Sequence, residues 1–293
     1  MGGAVMDASM PALLRPRPRA RTLRLGVDAL AYALLIAGAV VMVAPFAWML
    51  ATSLKLPADQ FGRDLIPSAP TLQNYATIWR ILPFGGLLWN SLTVAAISTI
   101  GQLLTCSMGA FVFAVVRFPG RQVLFVALLV TLMIPAQMAA IPQFVIFKAL
   151  GLYGTQAPLY LPSFLGGAFG CFLLRQYFLT IPIELAEAAR MDGASLLTIW
   201  WRIYLPLARP ALAALAIFAF LSSWNDLFSA LIYLPSDLEK TTLPVGLALM
   251  QQQYAAQWTV MMAAVLVSIA PILIAFSLAQ RHFIEGMALS GLK

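Results

Sequence analysis

Residues 181–206 read IPIELAEAARMDGASLLTIWWRIYLP, a polar island in a chain otherwise dominated by apolar runs. The surrounding segment, 179–210, sets Glu184, Glu187 and Asp192 among Arg190, Arg202 and Arg209. Its pattern predicts two short helices. Thr180 is placed to cap the first, and Pro182 suits its opening turn. Glu184, Leu185, Glu187, Ala188 and Ala189 are good helix formers. Gly193 supplies a left-handed residue to end it. Ser195 is placed to cap a second helix running to Leu205, where Pro206 and Pro210 punctuate the chain. Two readings of this pair stand side by side. Small side chains at Ala186, Ala188 and Ala189 let another chain approach, and Glu187 offers a directional charge, which suits docking. The other reading is an amphipathic loop lying on a bilayer. Such loops carry a basic face and an apolar face, which the mixed charges and the alanine run match poorly.

Outward from this island the chain changes character. Of its 293 residues 61% are apolar and only 10% are charged, against about 25% charged in soluble domains. Too little charge is present to clothe a water-facing surface of this size. The balance predicts an all-α integral membrane protein. A net charge of +7 raises the question of nucleic acid. The basic residues fall between apolar runs, however, as they do when they set membrane topology, and nucleic-acid binding is excluded on that pattern. Cys106 and Cys171 lie inside apolar stretches without CxxC spacing, so they read as buried small side chains. His282 is the only histidine, and no metal site is expected.

Spanning the hydrocarbon core takes about 20 apolar residues. Six stretches qualify, near Ala29–Leu50, Leu88–Val115, Val123–Phe147, Leu159–Phe178, Ala211–Tyr233 and Val260–Leu278. Pro135, Pro142 and Pro271 inside them predict kinks. Residues 1–25, rich in Arg and Pro, read as a disordered tail. The run after it is too long for a signal-peptide core and reads as a retained anchor. Placing the N-terminus in the cytoplasm puts 13 basic residues inside and 5 outside. Both termini are therefore expected to be cytoplasmic. The first outer loop, about Ala51–Gly86, is expected to fold as a small cap with a helix near Thr71–Arg80.

The polar island also resembles a known signature. Glu187-Ala188-Ala189, three residues, Gly193, nine residues and Ile203-Tyr204-Leu205-Pro206 resemble the EAA motif of binding-protein-dependent ABC importer permeases. Ile181-Pro182, Glu184-Leu185, Asp192 and Ser223-Trp224-Asn225-Asp226 are similar to the carbohydrate-uptake branch. The tail Phe283–Lys293 resembles the end of the second, six-span permease of maltose-type systems. The resemblance covers residues 26–293, the expected permease domain, with segment 179–210 as its coupling segment. It implies a bacterial-type plasma membrane location and a second permease as heterodimer partner. It also implies a homodimeric ATPase below the membrane, an extracytoplasmic solute-binding protein and a saccharide cargo. Glu187, Ala188, Ala189, Asp192, Gly193, Ile203, Leu205 and Pro206 would then couple the permease to the ATPase.

A Walker A loop needs GxxxxGK[ST]. None of the four lysines, Lys55, Lys148, Lys240 and Lys293, follows a glycine. No catalytic set and no cofactor is expected in this chain, and ATP and Mg would be bound by the partner ATPase. Trp224, Asn225, Asp226, Asn90 and Gln137 are the pathway candidates. Asp226 reads either as a pathway residue or as a structural hydrogen-bonding group near the outer end of its span. Two alternatives stay open. One keeps the fold and carries glycerol-phosphate or another small polar solute. The other is an ion-coupled secondary transporter, which would need carboxylates near the midplane.

Overall fold

The computed structural model describes residues 18–62, 64, 66–234, 238–253 and 257–290. Among these residues the chain is helical and contains no strand. Helix α1 (Pro18–Ser53) comes first, followed by α2 (Gln73–Ile81) in the outer loop and α3 (Phe84–Val115). Then come α4 (Arg121–Val130), α5 (Ala136–Ala149), α6 (Ala157–Tyr160) and α7 (Ala168–Phe178). The polar island holds α8 (Glu184–Met191), α9 (Leu196–Ile199) and α10 (Leu205–Leu207). The chain ends with α11 (Arg209–Trp224), α12 (Leu227–Tyr233), α13 (Leu243–Gln253) and α14 (Trp258–Ser290).

Four helical stretches are each long and apolar enough to cross a membrane: Asp28–Ser53, Phe84–Val115, Ala157–Phe178 and Trp258–Leu278. Two more candidates are bent pairs, so six spans are reached when each bent pair is one span. The expected third span is broken around Pro135, which cannot donate to the preceding turn. The expected fifth span, Ala211–Tyr233, is likewise not one helix. It stops at Trp224 and restarts at Leu227, because the Asp226 carboxylate accepts from Ser229 N at 3.0 Å and caps a new helix. Before α11 the chain turns by 84° from Leu196–Leu207 into Arg209–Trp224. At the N-terminus, residues 18–25 of the expected tail already belong to α1, while residues 1–17 lie outside those described. The C-terminal motif lies on the end of α14, with 291–293 outside the described residues.

Helix α3 is the spine. Its C-terminal half, the inner one in the orientation expected from the basic residues, joins α7, the polar island and α11 in one apolar core around Phe111, Leu174, Phe178, Tyr204 and Leu215. Its outer half joins α2, α13, α14 and Trp224 in a second core around Ile78, Leu87, Met250 and Val260. In lipid, helices associate through close packing, which small residues permit. Gly101 lies against the Phe164 ring, where an added Cβ would stand 2.8 Å from ring carbons. A Cβ on Gly170 would meet Cys106 Sγ at 2.8 Å. Cys106 is buried there with its thiol against Gly167, whose N–H donates to Sγ at 3.2 Å. α1 presents large apolar side chains in nearly every direction, as befits a helix with lipid for solvent.

The outer cap rests on one amide. Asn74, 2% exposed, donates from Nδ2 to the carbonyls of Ser53 at 2.7 Å and Lys55 at 2.8 Å. Its Oδ1 accepts from Thr259 Oγ1 at 3.2 Å. One side chain thus ties the end of α1 to α2 and the start of α14. Beside it, Lys55 is buried, donates to Gly62 O at 2.6 Å and stands over the Trp48 ring. Asn74→Leu orphans two buried carbonyls and a hydroxyl, a loss of roughly 3 kcal/mol. A clearly lower melting temperature of the detergent-purified chain is the expected result. Unchanged melting would remove Asn74 from this role.

Candidate functional site

Helix α7 ends at Phe178, and the Thr180 hydroxyl donates to Tyr177 O at 2.7 Å. Thr180 therefore closes α7 and does not cap α8, whose flanking residue is Ile183 with no side-chain bond. The chain has no spare residue there: Ile181 N already reaches Phe178 O, and the first turn of α8 starts from the Pro182 carbonyl. At the other end Gly193 takes φ +82. Its N–H donates to Arg190 O at 3.0 Å, and Ala194 N donates to Ala189 O at 2.9 Å. These two bonds form a Schellman close, so the glycine is needed for its backbone angle. An added Cβ would meet nothing within 4 Å.

Ser195 caps α9 as expected, accepting from Thr198 N at 3.2 Å. The helix then widens into a π turn over Trp200–Tyr204 before α10. Pro206 explains the widening, since it has no N–H for the Arg202 carbonyl and its ring crowds that carbonyl. Ile203 and Leu205 are half-buried, and Pro206 is exposed.

The two faces of the helix pair differ in chemistry. Ala186, fully buried, and Ile199 and Tyr204 enter the inner core. Tyr204 stands edge-on to Phe111 at 5.0 Å and to Phe178 at 5.3 Å. Ala186 thus leaves the docking face that the sequence suggested, because Ile183, Ala186 and Ala189 form the stripe that faces the core. Glu184, Leu185, Glu187, Ala188, Asp192 and Gly193 remain exposed, and Met191 is 88% exposed. An acid-bearing surface with apolar side chains is held out by a rigid, aromatic-anchored base. Its shape suits insertion into a protein groove.

The pathway candidates separate. Trp224, 3% exposed, stacks on Phe220 at 5.5 Å in the outer core. Asp226 caps α12, accepting from Ser229 N. Asn225, exposed at the break, donates to Leu221 O at 2.9 Å. Asn90 donates to the carbonyls of Glu239 at 2.7 Å and Thr241 at 2.8 Å, pinning the outer loop before α13. Gln137 is exposed in the first turn of α5. Three residues were missed by sequence reasoning: Asn74, Tyr204 as an anchor, and Ser91, which accepts from Leu243 N at 2.8 Å. Ser91 and Ser98 recur at helical spacing on α3, and Ser98 accepts from Ser223 at 3.3 Å. That polar stripe was the available signal. Among the described residues no group of three or more His, Cys, Asp or Glu is placed to hold a metal.

Comparisons with known proteins agree with this arrangement. Residues 104–288 match the family described as binding-protein-dependent transport system inner membrane component. The arabinooligosaccharides transport system permease protein of Halalkalibacterium halodurans is 36% identical over 231 residues, 78% of this chain and 81% of its own. The sn-glycerol-3-phosphate transport system permease protein of Yersinia enterocolitica is 32% identical over 274 residues, 90% of this chain and 97% of its own. A chain of a bacterial ABC transporter that imports the acidic polysaccharide alginate superposes with a TM-score of 0.76 at 28% identity. That superposition covers 92% of this chain and 99% of the other. With the match running through α8 and its Schellman close, this chain belongs to the family of binding-protein-dependent transport system inner membrane components.

Proposed function

We propose that this chain is one of two different permeases of an ATP-driven sugar importer. Segment 179–210 couples it to a separate homodimeric ATPase. The observation that carries the reading is the two-faced helix pair: Glu187, Ala188, Met191 and Asp192 exposed outside, Ala186 and Tyr204 locked to α3 and α7 inside. A partner that grips the outer face moves the inner core with it, since close-packed apolar contacts transmit displacement. ATP and Mg belong to that partner. The basic bias of the sequence supports placing the segment and both termini in the cytoplasm.

The outer cap over α2 and α14 is the surface offered to a solute-binding protein. A solved structure of the same fold is a bacterial alginate ABC transporter in complex with an alginate pentasaccharide-bound periplasmic protein. A saccharide cargo is supported by the arabinooligosaccharide and alginate relatives, and by the alpha-glucoside permease of Rhizobium meliloti at 35% identity. The glycerol-3-phosphate relative covers 90% of the chain, more than the arabinooligosaccharide and alpha-glucoside relatives, and phosphate is the competing cargo chemistry. Of the expected pathway residues, the exposed amides of Asn225 and Gln137 are retained as candidates. Trp224, Asp226 and Asn90 have structural duties.

The first test is purification of the tagged chain from native membranes in mild detergent, with mass spectrometry of its companions. A second permease and an ATPase are expected to co-purify. Isolation of the chain alone, where a known importer stays assembled, would return weight to an ion-coupled transporter. Uptake by the recovered complex, supplied with its binding protein, should be competed by oligosaccharides and not by glycerol-phosphate. The reverse result would replace the sugar reading.

Glu187→Lys inverts the exposed charge. Loss of one charge-assisted contact is worth about 1.5–3 kcal/mol, so ATPase co-purification should fall roughly 10- to 100-fold with insertion intact. Retention at the wild-type level would exclude Glu187 from the contact. Gly193→Val forces a branched side chain into the left-handed region at about 1–2 kcal/mol. Coupled uptake should drop sharply, and Gly193→Asn, which tolerates that angle, should restore most of it. Equal activity in both variants would show that the turn does not matter.

A further inference from the structure

Beside the helix pair lies a groove that shares Glu187 with the coupling face and otherwise runs away from it. Its first part, about 480 Å³, is lined by Val115, Val116, Arg117, Glu187, Arg190 and Leu196. A neighbouring pocket shares Val115, Arg117 and Ile183 and adds Arg121. A wholly apolar cleft of about 240 Å³ shares Val116 and Leu196 and continues along Met108, Phe111, Val112 and Trp200. The basic end sits just past the inner end of α3, and the apolar end climbs that helix by about two turns. Three arginines against one glutamate leave the mouth net positive. Trp200 is 5% exposed and its ring forms part of the apolar wall of the cleft. Next to it Trp201 is 61% exposed, in the manner of side chains at a membrane interface.

We propose that an anionic phospholipid occupies this groove. Its phosphate lies between Arg117 and Arg190, and one acyl chain lies along Met108, Val112 and Leu197. The length-wise change from basic to apolar matches a lipid and does not match a soluble anion. Arginine gives phosphate paired, directional donors, and basic pockets between spans on this side of a membrane suit acidic headgroups. The lipid would bridge α3 to α8 and α9, so the resting position of the helix pair would depend on the acidic lipid content.

The test is native mass spectrometry of the assembled complex released from nanodiscs of phosphatidylcholine, with or without one-third phosphatidylglycerol. Wild type should retain phosphatidylglycerol at least fivefold over phosphatidylcholine. The R117Q/R190Q variant should lose that preference while keeping its subunits and its elution volume. Lys148→Gln, on α5 away from the groove, should keep it. Should R117Q/R190Q disrupt assembly, Val112→Trp, which fills the apolar cleft and leaves the arginines, should also abolish retention. Equal retention of both lipids by wild type would overturn the proposal. So would undiminished phosphatidylglycerol on R117Q/R190Q, or its displacement by millimolar inorganic phosphate. Transport is not read in this experiment, so the outcome is independent of the cargo.

Discussion

Tyr204, edge-on to Phe111 and Phe178, is the contact on which the rest of the molecule depends. It joins the polar helix pair to the two longest-packed elements of the inner core. Ala186, Ile199 and Trp200 enter the same core beside it. With it the pair belongs to the same rigid unit as α3. That helix continues to a second core at its other end, where Ser91 receives the N–H of Leu243 and Asn90 holds the loop before α13. A displacement at one surface therefore has a continuous packed route to the other.

The route tolerates little slack because of how helices meet in lipid. There is no water to expel, so close approach and satisfied polar groups supply the attraction. Gly101 against Phe164 and Gly170 against Cys106 and Leu215 are such approaches. They also explain both cysteines as space-filling members of the inner core, since Cys171 lies in the same cluster.

Much of this was legible in the sequence because it depends on local chemistry. The Gly193 close and the Ser195 cap follow from residues whose preferences act within a turn, and both are present. The helical cap in the outer loop was legible for the same reason, and α2 lies within two residues of the expected bounds. What failed was non-local. Thr180 has the right chemistry for a cap, but α7 takes its hydroxyl first. Ala186 looks like its neighbour Ala188, and only its place in the core with Ile199 and Phe178 sets it apart. Asn90 reads as a pathway candidate and Asn74 draws no reading of its own, because their acceptors lie on distant segments of the chain.

The breaks in the apolar spans follow one rule. A backbone group freed within lipid must find a partner close by, or the helix would not stop there. At Asn225–Asp226 both side chains serve that need: one carboxylate receives the new helix's N–H, and one amide returns to the old helix's carbonyl at Leu221. Ser223 adds a bond across to α3. Asp226 is thus a charge whose presence is explained by the break it satisfies, and ion coupling is not needed to account for it. The exposed side of the same break belongs to Asn225, whose amide oxygen is not needed for that cap.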